Sequence, residues 1–163
     1  MKQHLLDMFQ FNGDSNRKMI ATIMGLPQPD EAASYMSHII NSQIKWLKRI
    51  SVYPEPLALD WWLPAYPLGE LETRLDESNK EWLAFLESKS ENAIGEEVRW
   101  IGDNGAGMAA KLQDVALQLI FHSFHHRAQI QKMIRAQGIE PKFIDYIGAR
   151  FHRLQQTSRL PDR

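Results

Sequence analysis

Cysteine is absent from the 163-residue chain, and that absence removes disulfide staples, thiolate metal sites, iron–sulfur clusters and cysteine nucleophiles together. Any metal must therefore be held by His, Asp or Glu. A surplus of either charge is also missing. With 19 Lys and Arg against 20 Asp and Glu, a net charge of -1, the attraction behind nonspecific nucleic-acid binding is lacking. Long apolar runs are missing too, since a membrane helix needs about 20 apolar residues and no run here approaches that. The opening MKQHLLDMFQFNGDSNRK has one early Lys and no unbroken apolar stretch of signal-peptide length. Together these absences predict a cytoplasmic protein with no nucleic-acid or membrane partner.

What is present suits one globular domain over residues 1–163, with 44% hydrophobic, 24% charged and 10% aromatic residues. Leu5, Met8, Phe9, Asn12, Met19, Ile20 and Ile23 recur at helical spacing and predict a helix over 3–24, stopped by Gly25-Leu26-Pro27. Gly13 weakens its middle. A second helix is expected from Asp30 to about Ile50, with Ala32, Met36, Ile39, Ile40, Leu47 and Ile50 on one face. Ser51 to Pro67 holds four prolines and the Trp61-Trp62 pair. It reads as a long ordered crossover, because side chains of that size need somewhere to pack. Leu71, Leu75, Trp82, Phe85 and Leu86 form the stripe of a third helix over 68–89. Val98, Trp100 and Ile101 before Asp103-Asn104-Gly105 predict a hairpin within 94–112. No Gly-Lys-Ser/Thr follows the glycines at 102, 105 and 107, so they read as turn residues rather than a phosphate loop. A fourth long helix is expected over 114–137, ended by Gly138 and Pro141, then a short last helix over 142–153. The expected class is all-α: a four-helix bundle with a long crossover, a short β-hairpin and a short C-terminal helix.

The chemistry gathers on the fourth helix. In LQLIFHSFHHRAQIQKM, His122 and His126 are four residues apart, so their side chains differ by only about 40° around the axis. Val115, Leu119, Ile130 and Met133 share that stripe. Two neutral imidazoles buried side by side need partners for their ring nitrogens, and one metal ion accepts two of them. Ser123 follows His122 where a zincin has Glu, so a metalloprotease base is missing. His125 is turned to the edge of the stripe, in a solvent-side or supporting position, and Gln129 is placed to orient a ligand or bound water. A third ligand must come from elsewhere. His4, His38, His152 and many carboxylates are candidates, and periodicity does not choose among them.

HSFHHRAQIQKMIRAQGI resembles the His-x-x-x-His-Arg-Gly-Gln stretch of the DinB-like (DNA-damage-inducible) metal-binding family, followed as there by a Gly and an Asp-Tyr-Ile. FNGDSNRKMIATI resembles the family's first helix, with Asn12 and Asn16 at its recurrent Asn positions, and SHIINSQIKWL its second. Asp14 stands where the family often has an aromatic residue, and Ala128 where it has Gly. The resemblance implies an up-down-down-up four-helix bundle holding a divalent metal, zinc or nickel, through His38, His122 and His126. Asn16, with Gln129 and His125, is then a candidate for supporting the ligands.

Relatives in the wider superfamily use such a site to transfer low-molecular-weight thiols, including bacillithiol and mycothiol, and in thiol-dependent isomerisation. The resemblance therefore implies a transferase of a small thiol to an electrophile. Three neutral ligands would leave the ion its full charge and an open position, at which a thiol ionises near neutral pH. A metal-dependent hydrolase and a non-enzymatic, metal-stabilised stress protein are the alternatives. No carboxylate lies within a turn of His122 or His126, the nearest on that helix being Asp114, which favours the thiol. Leu117, Ile120, Phe121 and Phe124 form a second apolar surface opposite the histidines, to be covered by the hairpin, the crossover or another subunit, and a homodimer is the expectation taken.

Overall fold

The computed structural model describes residues 1–151. Four long helices make up most of it: α1 (Lys2–Ile23), α2 (Asp30–Ser51), α3 (Leu71–Glu87) and, after a one-turn α4 (Glu91–Ile94), α5 (Leu112–Ala136). Each forms where an apolar period of 3.6 meets a stop signal. Leu5, Phe9, Met19, Ile20 and Ile23 are the buried apolar side of α1. Asp30 and Glu31 in the first turn of α2, with Lys48 and Arg49 in its last, match the helix dipole at both ends. Ser90 caps α4 by accepting a hydrogen bond from the Ala93 amide. Gly138, at φ +77°, turns the chain out of α5.

Two strands, β1 (Glu97–Ile101) and β2 (Gly107–Lys111), pair antiparallel with Trp100 opposite Met108. Gly105, at φ +79°, makes the turn between them. A helix over 142–153 is not found. Among the described residues that stretch holds only a 3-10 turn, Ile147–Ala149. Phe143 and Ile147 are 86% and 65% exposed, so no buried stripe is there to hold a longer helix. His152 and Arg153 lie outside the described residues.

α1 and α2 each pack against both α3 and α5. Lys2 Nζ donates to the carbonyl oxygen of Glu87, joining the start of α1 to the end of α3. Gln28 and Gln137 bond reciprocally, joining the α1–α2 connection to the end of α5. Trp82 of α3 donates from its indole to the Gln43 carbonyl of α2.

The apolar interior comes in two clusters. One joins Met19, Ile23, Met36, Ile40, Leu71, Leu75, Ile130 and Ile134. The other joins Leu5, Phe9, Trp82, Leu86, Ile94, Leu112, Val115 and Leu119, with the Phe9 and Trp82 rings stacked at 5.4 Å. Asn12 and Asn16 of α1, Gln43 of α2, Ser78 and Asn79 of α3 and Ser123 and Arg127 of α5 are buried at chain positions between those of the two clusters. Arg127 bonds to Asn12 and Asn16, Asn12 to Ser123, and Ser78 to Gln43, because buried polar groups without partners are costly.

Candidate metal centre

His38 sits in the middle of α2, and His122 and His126 sit one turn apart on α5, the helix α2 packs against. Four residues of α-helix turn about 400°, so both α5 imidazoles leave on the same side. His38 and His126 are buried and His122 is half-buried. Nε2 of His122 stands 3.0 Å from Nε2 of His38 and 3.0 Å from Nε2 of His126. One ring nitrogen from each histidine lies within 4.8 Å of the other two. Nitrogens held about 2.0–2.1 Å from a tetrahedral zinc are roughly 3.3 Å apart, so the trio is spaced to hold one ion.

The far sides of two rings are fixed. His38 Nδ1 lies 2.8 Å from the carbonyl oxygen of Trp61. A carbonyl only accepts, so the proton is on Nδ1 and Nε2 presents its lone pair. His126 Nδ1 lies 2.6 Å from Oε1 of Gln129, which selects the same tautomer. Nδ1 of His122 is buried and has no partner among the described residues.

Burial holds these rings neutral. It is the largest cause lowering the pKa of His38 and of His126. His122 is pushed down to about 4, by burial first and by the neighbouring imidazoles next. Among the described residues, no carboxylate belongs to the cluster. Three neutral imidazole nitrogens converging on one point are a donor set that fits a divalent cation.

The crossover is tied across α2. Asn41 donates to the Pro64 carbonyl, Tyr66 donates from its hydroxyl to Asn41 Oδ1 and from its amide to Ser37 Oγ, and Lys45 reaches the carbonyls of Asp60 and Leu63. These bonds bring the tryptophan pair to the histidines. The Trp62 ring stacks on His38 at 4.1 Å and 12°, and its centroid is 6.2 Å from that of His126. Tyr35 approaches His126 at 5.7 Å. The bulk of Trp61 and Trp62 announces an ordered crossover, but nothing local in the sequence says that it ends on the imidazoles.

Of the other residues singled out from the sequence, Gln129 is in contact with His126. His125 is exposed, 5.0 Å from His126 between ring centroids, and contributes no atom to the cluster. Asn16 meets Arg127 rather than an imidazole, accepting from Nη1 at 2.7 Å. His4 is exposed on the first turn of α1 and is not in the group.

Arg127 was not anticipated. It is 4% exposed, and Nη1 also donates to Asn12, while Asn12 donates to Ser123. With amide oxygens as its partners, burial lowers the guanidinium to about 10. A sequence signal existed, since Arg127 lies beyond Ser123 and Ile130 around α5, at the border of the buried face.

The sequence matches the model of the DinB family over residues 1–159, and the chain belongs to that family. No curated protein matches it.

Proposed function

We propose that this DinB family member uses His38, His122 and His126 to hold one divalent ion, zinc or nickel, and transfers a low-molecular-weight thiol to an electrophile. The convergence of three neutral imidazole nitrogens with no carboxylate among them carries the reading. A divalent ion bound there would supply the charge that lets a thiol lose its proton near neutral pH. Trp61 O and Gln129 fix two of the rings with their lone pairs inward. Trp62 covers one face of His38 and limits water on that side. With no acid or base in the cluster, the thiol proton leaves to solvent. The sulfur pair then forms the bond to the electrophilic carbon, and the displaced group departs with the electrons of the bond that breaks.

The same reading extends to the whole chain. An up-down-down-up arrangement of α1, α2, α3 and α5 is supported by the joined ends of α1 and α3, and by the bond from the α1–α2 connection to the end of α5. No described helix is long and apolar enough to cross a membrane. We assign the protein to the cytoplasm because small thiols are kept reduced there. Phe121 and Phe124, 60% and 65% exposed on α5, support a homodimer through that face.

Cobalt substitution tests the reaction. Added cysteine or 2-mercaptoethanol should produce a sulfur-to-metal charge-transfer band, absent in His126→Ala and nearly intact in His125→Ala. Cleavage of ester or amide substrates with no thiol band would replace the transferase by a hydrolase. Neither signal would leave a metal that only stabilises the fold.

A further inference from the structure

We propose that the cavity beside the three histidines, walled by Trp46, Trp61 and Leu119, is a subsite for a small uncharged ring, and that this ring belongs to the electrophile. Only the second half rests on the transferase reading. The cavity measures about 150 Å³, and His38 and His122 form part of its wall, so its occupant lies against the imidazoles. A space of roughly that volume matches a ring the size of benzene, and Trp46, Trp61 and Leu119 give it apolar walls beside the polar His38, Ser42, Gln118 and His122.

The lining explains both the shape and the lack of charge. Trp46 and Trp61 stand 6.1 Å apart between centroids, and Trp100 of β1 meets Trp46 edge-on at 5.1 Å. The guanidinium of Arg49 lies 5.7 Å from the Trp46 ring and 5.3 Å from the Trp61 ring, and pairs with Asp103 of the hairpin turn. The aromatic wall is therefore braced by the hairpin. Among the described residues, no Asp, Glu, Lys or Arg lines the cavity. Ser42, also in the lining, already donates its hydroxyl to the His38 carbonyl. A cationic occupant would meet the charge of the ion with no carboxylate in the lining to offset it, and an anionic one would find the ion as its sole counter-charge, whereas a neutral ring finds π faces and a Leu side chain.

Equilibrium dialysis of nitrobenzene against the zinc-loaded full chain tests the subsite. Saturable binding to one site is expected, with 1-nitronaphthalene at least tenfold weaker because it exceeds the volume. Gln118→Trp changes an exposed lining residue into one that fills the space, and should weaken nitrobenzene at least tenfold with zinc stoichiometry unchanged. Trp61→Ala removes a wall but keeps the carbonyl that holds His38, and should do the same. Nitrobenzene that binds without saturation, or equally well to Gln118→Trp, overturns the inference. If the ring binds as stated and thiols leave the cobalt spectrum unchanged, the transferase reading fails and the subsite stands. If a thiol band forms and no ring binds, the subsite fails and the transferase stands.

Discussion

Oε1 of Gln129 stands 2.6 Å from Nδ1 of His126, three residues back on the same helix. The bond sets the tautomer and aims Nε2 at the other two histidines. Partners of this kind typically contribute 10- to 100-fold to metal affinity. Gln129→Leu should therefore weaken zinc about 10- to 100-fold in a chelator competition, whereas Gln129→Glu keeps an acceptor and should stay within about threefold. Equal loss in both variants would mean that the side chain matters for its size and not for its oxygen.

The two apolar clusters predict how the protein responds to chelation. Met19, Ile40, Leu75, Ile130 and their neighbours, and Phe9, Trp82, Leu119 and theirs, are buried without help from the histidines. A metal at 100 times its dissociation constant adds about 2.7 kcal/mol, which for a chain of this size raises Tm by roughly 5–10 °C. Chelator should remove that increment and leave a cooperative helical protein. His122→Ala should melt at the same temperature with and without zinc. Loss of helical circular dichroism on chelation at 25 °C would make the site structural instead.

pH should act on the metal-free protein through the same trio. The His122 pKa is lowered from an ordinary 6.5 to about 4, so the unfolded chain takes up the proton first. Stability from this group is complete above about pH 6.5 and is lost as pH falls to about 4, an amount of roughly 3 kcal/mol. His38 and His126 shift in the same direction. Urea midpoints of chelator-treated protein should fall across that window, and His122→Leu should flatten the fall by comparison. Parallel pH curves for the two proteins would show that the carboxylates carry the whole effect.

The helices were legible because each obeys a local rule. Leu5, Phe9, Ile20 and Ile23 keep a 3.6-residue period, and Gly25 with Pro27 and Gly138 with Pro141 follow the ends of α1 and α5. Two of the three candidate ligands were equally local, since a spacing of four puts His122 and His126 on one face. His38 was not, because α1 and α2 both pack against α5 and only the level and direction of each side chain separate buried His38 from exposed His4; the family resemblance supplied that choice. The helix expected over 142–153 failed for a related reason: propensity does not reveal whether a stripe has anything to pack against, and Phe143 has nothing. Arg127 escaped because charged residues are assigned to the surface by default, whereas Asn12 and Asn16 give this one acceptors inside.

Gly13 looks in the sequence like a flaw in the middle of α1, costing about 1 kcal/mol of helix propensity relative to Ala. The structure gives it a reason. A Cβ at this position would stand 2.7 Å from Nδ2 and 2.9 Å from Cγ of Asn79 on α3, and Asn79 is buried. The glycine thus permits the close approach of the two helices. Gly13→Ala should lower stability by about 1 kcal/mol, because a Cβ at 2.7–2.9 Å overpacks the buried Asn79 side chain and forces it aside. In an Asn79→Ala background the obstacle is gone, so the same substitution should raise stability by about 0.5–1 kcal/mol through helix propensity alone. Urea unfolding of the four proteins in the cycle measures this coupling. A Gly13→Ala effect of the same sign in both backgrounds would show that contact with Asn79 is not what keeps the position small.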